Sequence, residues 1–311
     1  MLIAINAILP SFITIGLGMF ARRKGMVGEN ELKKFNTVAF RIFLACQLFK
    51  NVYDSSLGES FSGKLALFLF IAILCAAGLG FLIAHFFEPQ LKRRGVMIQG
   101  IFRSNFILLG LPLVTSVFGP ECGGLVSLMT AIVVPTFNLL AVVVLELYAG
   151  GTPSFKKTLR QIVTNPLICA TLLAVVIKLL GIDLYRASFF KNALSSIAGA
   201  ATPLCLFILG GSFVPASIRS YARSLWITVT TKLLILPALS ILAAVAMGFR
   251  GVELGVIMIC FGAPTAVSSY NMTREIGGDE ELAAGIVVVD TALSALTLFF
   301  WIFLLKQLAL I

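Results

Sequence analysis

Two stretches decide the fold: GIFRSNFILLGLPLVTSVFG, residues 100–119, and GVIMICFGAPTAVSSYNMTREIGG, residues 255–278. Both are apolar enough to sit in lipid, yet each carries a glycine two positions before a proline, Gly110-Leu111-Pro112 and Gly262-Ala263-Pro264. Proline removes an amide donor and clashes with the preceding turn. Glycine lets another backbone come close. A membrane tolerates a broken helix only where protein or a cavity covers the freed backbone groups. Matched interruptions in two halves of a chain point to a transporter's binding site. The bland alternative is a pair of packing kinks, since Pro10, Pro135, Pro166, Pro203 and Pro237 also lie in apolar runs.

The rest of the chain is of the same kind. Of 311 residues 59% are hydrophobic and 12% charged, with mean hydropathy +1.02. A soluble domain carries about twice that charge. Apolar runs fall near 5–21, 35–53, 63–87, 97–118, 122–148, 164–181, 189–213, 222–248, 252–273 and 282–306. Each is close to the ~20 residues needed to cross hydrocarbon, so ten transmembrane helices are expected. The linkers hold no domain, and function must reside in the bundle. Composition excludes a soluble enzyme and a nucleic-acid module. The net charge of +10 is read as topology rather than as a nucleic-acid surface.

The odd-numbered loops carry Arg22, Arg23, Lys24, Lys33, Lys34, Lys92, Arg93, Arg94, Lys156, Lys157, Arg160, Arg219, Arg223 and Arg274; the even ones carry Lys50, Lys64, Arg186, Lys191 and Arg250. The positive-inside rule then puts the odd loops in the cytoplasm and both termini outside, periplasmic in a bacterial inner membrane. Five spans before about residue 160 and five after would give halves of opposite topology, 1–160 and 161–311, hence an inverted repeat. The positive cluster follows the first apolar run, so that run is expected to be a retained helix and not a cleaved signal.

Chemistry-bearing motifs are sparse. Six cysteines form no CxxC pair, and His85 is the one histidine, so no metal site or metal cofactor is expected. There is no GxSxG, HExxH or GxxxxGK[ST], and an enzyme is not expected. The ends of broken helices offer unpaired amides and a partial positive charge suited to a carboxylate. Neutral donors nearby are Asn105 and Asn138, with Thr265, Ser268, Ser269 and Asn271 following Pro264. Each could instead bridge helices or bond its own turn. Asp290, deep in the last apolar run, costs several kcal/mol there unless paired, protonated or wetted. It is a candidate site for coupling to H+ or Na+, or else a structural partner of Lys232 or Arg103.

Phe102-Arg103-Ser104-Asn105-Phe106 running to Gly110-Leu111-Pro112 and Gly119, then Pro135 to Asn138, Glu146, Asn165-Pro166 and Pro203 to Ser212, form an ordered set. In that set the chain resembles the auxin efflux carrier family, which includes plant PIN-type exporters and bacterial permeases for malonate and malate. The resemblance covers essentially the whole chain. It implies an all-α fold of ten helices in a 5+5 inverted repeat, with crossed, broken helices 4 and 9, like the bile-acid-symporter and sodium–proton-antiporter fold. It implies a scaffold and homodimer side from helices 1, 2, 6 and 7, and a moving core from helices 3–5 and 8–10. The substrate-contacting asparagines resemble Asn105 and Asn138, beside Pro112 and Pro264. The implied activity is elevator-type secondary transport of a small mono- or dicarboxylate; a cation-coupled antiporter and an uncoupled facilitator or channel are the alternatives. Where many family members have a small or neutral residue, this chain has Asp290.

Overall fold

The computed structural model describes residues 2–54, 62–106, 114–115, 117–119, 123–149, 160, 163–214 and 218–311. Within them the chain is helical throughout. Helix α1 is Leu2–Arg23 and α2 is Glu29–Val38; a π-helical turn, Ala39–Leu44, leads into α3, Ala45–Asp54. Then come α4 (Gly63–Phe87), α5 (Leu91–Phe102), α6 (Gly123–Tyr148), α7 (Pro166–Leu179) and α8 (Ser188–Ser212). Helix α9 (Ile218–Thr230) passes through a second π-helical turn, Thr231–Ile235, into α10 (Leu236–Ala246). The last three are α11 (Gly251–Gly262), α12 (Ser268–Ile276) and α13 (Glu280–Gln307).

The expectation of ten spanning helices in a 5+5 inverted repeat is overturned. Among the described residues five helices are long and apolar enough to cross a membrane: Gly63–Phe87, Leu128–Tyr148, Ser188–Ser212, Ile218–Ala246 and Glu280–Gln307. Two of these precede residue 160 and three follow it, so among the described residues the halves are not matched sets of spans. The chain is an all-α, multi-pass membrane protein. The reason lies in what a hydropathy window averages away. The run at 35–53 lies on α2 and α3, whose sequences carry Glu29, Glu31, Lys33, Lys34, Lys50 and Asp54. Helix α5 stops at Phe102 and α11 at Gly262, each 12 residues long. Helix α7 has 14 residues. At 1.5 Å per residue, helices of that size reach only about 18–21 Å of the ~30 Å hydrocarbon core.

Local chemistry sets the helix ends. The Asn165 side chain accepts from Leu167 N–H at 3.0 Å, with Pro166 as the first helical residue of α7. Asp279 caps α13 by accepting from Leu282 N–H at 2.9 Å, with Glu280 and Glu281 in the first turn and Lys306 in the last. Helices α1 and α8 meet backbone to backbone: a Cβ on Gly18 would lie 2.1 Å from Phe207 O, and one on Gly210 2.0 Å from Ile15 O. Without a hydrophobic drive between helices in lipid, such close approach is what van der Waals packing rewards. This seam and the buried cluster around Leu69, Met97, Val133 and Ile257 frame the site.

Candidate functional site

Helix α5 ends at Phe102, Arg103 is extended, and the chain stays non-helical through Asn105. Helix α11 ends at Gly262, and the chain stays non-helical from Ala263 to Val267 before α12 begins. A helix that stops inside a membrane leaves orphan carbonyls and amides. Here the two interruptions supply each other's partners. Asn105 N–H donates to Pro264 O at 2.8 Å. The Thr265 hydroxyl lies 2.9 Å from Gly100 O, in the last turn of α5. The Ser104 hydroxyl reaches Ala263 O at 3.5 Å.

A cavity of about 90 Å³ opens on one side of this junction. That is room for several ordered waters or one small solute. Its polar lining includes Gln47, Arg103, Asn105, Asn138, Thr202 and Ser268. Arg103 is 3% exposed and is the one charged residue among the described lining. One terminal nitrogen donates to Asn138 Oδ1 at 2.7 Å and to Ser268 Oγ at 2.8 Å, and the other meets the Met272 sulfur. All three partners are neutral. Across the cavity Gln47 Nε2 donates to Thr202 Oγ1 at 2.9 Å, joining α3 to α8. The start of α12 also faces the cavity, through Ser268. Its partial positive charge adds to that of Arg103.

The residues expected from sequence separate into three groups. Asn105, Asn138 and Ser268 come together on the cavity with Arg103. Thr265, Ser269 and Asp290 lie behind the junction, buried and off the cavity. Asn271 lies further along α12, where its Nδ2 donates to Asn36 Oδ1 at 2.8 Å and its carbonyl accepts from Asn36 Nδ2 at 3.2 Å. Pro264 is in the junction. Pro112 is outside the described residues, as are Lys156 and Lys157.

Asp290 is fully buried on α13, with Oδ2 2.5 Å from the Thr265 hydroxyl and Oδ1 without a hydrogen-bond partner. Of its two expected partners, Arg103 is committed to the cavity side. Lys232, also fully buried, is within electrostatic reach, yet its Nζ makes no hydrogen bond. Sequence reading offered Arg103 as a partner of Asp290, and the structure places it in the cavity wall. The signal was present: a cation sits at the first residue after a helix stops, next to Ser104 and Asn105.

At the far end of α12 the polar chemistry is of a different kind. Arg274, its side chain 5% exposed, pairs with Glu29 of α2 and contacts Glu280 of α13 at 3.0 Å, an ion contact without hydrogen-bond geometry. It also donates to Ser212 and to the Tyr270 hydroxyl. Beside it Glu275 accepts from Thr37 at 2.9 Å and pairs with Arg41 at 3.2 Å.

Comparison with known proteins agrees with a chain of this architecture. The family model described as "Membrane transport protein" matches residues 3–302. An uncharacterized transporter of Methanocaldococcus jannaschii is 24% identical over 309 residues, covering 96% of this chain and 98% of its own length. An uncharacterized transporter of Methanothermobacter thermautotrophicus is 25% identical over 311 residues, covering 95% and 96%. Both relatives are named as transporters, and the family match runs through both interruptions and all the cavity elements. The chain therefore belongs to the membrane transport protein family.

Proposed function

We propose that this protein is a secondary active transporter for a small organic anion, a mono- or dicarboxylate, held in the cavity at the junction of the two interrupted helices. One observation carries the reading: Arg103, buried in the cavity wall, has only neutral partners among the described residues. A buried cation without a counter-charge is costly. A planar guanidinium flanked by amide and hydroxyl groups is suited to a carboxylate, which it can grip through two parallel hydrogen bonds. A positive cavity also disfavours a cation as cargo, and with it the antiporter reading. Carriage would be by alternating access of the elevator type, the junction shifting against the α1–α8 seam. The orientation has both termini outside, as the loop charges favour.

The test is a thermal-shift screen of the purified protein against small carboxylates, followed by counterflow of labelled hits in liposomes. We expect at least one carboxylate to raise the melting temperature of the wild type and not that of Arg103→Met. Stabilisation of both proteins alike, or by neutral or cationic solutes only, would overturn the reading. Saturable counterflow separates a carrier from a channel.

A further inference from the structure

The oxygens behind the junction carry a constraint that hydrogen counting exposes. Thr265 has one hydroxyl hydrogen and two acceptors in reach, Gly100 O at 2.9 Å and Asp290 Oδ2 at 2.5 Å. A carbonyl only accepts, and an ionised carboxylate only accepts. With Asp290 charged, one of these contacts holds two oxygens together with no hydrogen between them. With a proton on Asp290, the chain closes: Asp290 donates to Thr265, and Thr265 donates to Gly100 O. Burial favours the same state, since Asp290 is wholly inside and its other oxygen has no partner.

We propose that Asp290 is a proton-binding site that, through Thr265, ties the 263–267 segment to the end of α5 when occupied and releases that tie when empty. Loss of the proton to water turns the Thr265 hydrogen toward the carboxylate and leaves Gly100 O unpaired. The last turn of α5 and Pro264, whose carbonyl holds Asn105 N–H, then loosen together. Lys232 is the neighbouring base, its Nζ buried and unpartnered in the π-helical turn Thr231–Ile235. Such turns recur at functional positions in helices. When Lys232 is itself protonated, its charge favours departure of the proton from Asp290. The other titratable or charged groups on elements packed against α13 lie elsewhere. Cys260 of α11 is beside Lys232, Tyr221 of α9 lies against Gly285, Arg93 of α5 pairs with Asp279, and Arg274 of α12 meets Glu280. Arg22 of α1 pairs with Glu29. The site adds a coupling ion to the transport reading, but its test involves no organic anion, so each can fail without the other.

The experiment is amide hydrogen exchange of the full chain in detergent, corrected for intrinsic chemistry, across roughly pH 5 to 9, followed at the Asn105 amide. Protection in the wild type should fall by about tenfold or more as pH rises, because the unprotonated site opens locally. Asp290→Asn, whose amide donates to Thr265 at every pH, should stay protected throughout. Thr265→Val should show low protection with no pH response. Lys232→Met should move the wild-type transition to higher pH, since a neutral neighbour no longer helps the proton leave. A wild-type profile flat with pH overturns the proposal without recourse to any variant. An Asp290→Asn profile that follows the wild type overturns it too, and a Lys232→Met profile superimposable on the wild type removes Lys232 from it.

Discussion

Two buried arginines, one at each end of α12, are treated in opposite ways. Arg274 has two carboxylates, Glu29 and Glu280, plus two hydroxyls, all from the protein. Arg103 has an amide oxygen, a hydroxyl and a thioether, and among the described residues no acid. Both were placed by the same short helix and its neighbours, so the difference is not one of scaffold. A charge meant to hold the fold together is neutralised internally. A charge left to neutral partners in a cavity is available to something that arrives from outside, at some cost to the empty protein.

That contrast can be broken most directly at Arg103. Arg103→Met should weaken carboxylate binding by about 3 kcal/mol, the upper range for a hydrogen bond to a charged group. The melting temperature of the empty protein should not fall, because an uncompensated buried charge is removed. A large fall in melting temperature with affinity retained would make Arg103 a structural residue like Arg274. The reverse pattern is expected of Arg274→Met, which should cost about 2 kcal/mol of stability, as a mostly buried arginine is lost but its glutamates can rehydrate. Carboxylate affinity, measured by isothermal titration in whatever fraction stays folded, should hold within about twofold. Asn138→Asp would sharpen the comparison by giving Arg103 an acid of its own. Anion affinity should drop about tenfold while the melting temperature rises by a few degrees. The smallest effect is expected at the exposed partner of Glu275: Arg41→Ala should change stability by about 0.5 kcal/mol or less, since an ion pair in water is worth little. A larger loss in chemical denaturation would mean that the polar contacts between α2 and α12 act as one network.

Much of this was open to a reader of the sequence, and the parts that were not have physical reasons. Composition alone fixed a multi-pass membrane protein, because no soluble surface can be made from so few charges. Glycine and proline at 262–264 marked a place where helix stops. The count of spans did not survive, since a window sees average hydropathy and not the loss of helix at Arg103 or Ala263. Asn105, Asn138 and Ser268 could be named as polar groups near a break, but the cation that joins two of them is visible only in three dimensions. Ser269 turns about 100° from Ser268 and so leaves the cavity, while Asn271 rises about 4.5 Å beyond it, toward Asn36. Asp290 announced itself by its setting, yet its neighbour Thr265 is 25 residues away in sequence and no spacing rule connects them.

The mutual capping of the two interruptions has a mechanical consequence. A stopped helix that bonded only to water or lipid could unwind or regrow on its own. Here Asn105 N–H is tied to Pro264 O, and the Thr265 hydroxyl to Gly100 O, so the end of α5 and the start of the segment before α12 are riveted together. A displacement of either by even an ångström must carry the other or leave three backbone groups bare in a medium that offers no substitute. The junction is thus a single moving part with two strands of chain through it. While Asp290 holds its proton, a pair of labels on residues 104 and 263 should keep one fixed separation, and labels that join either of them to the α1–α8 seam are free to report motion.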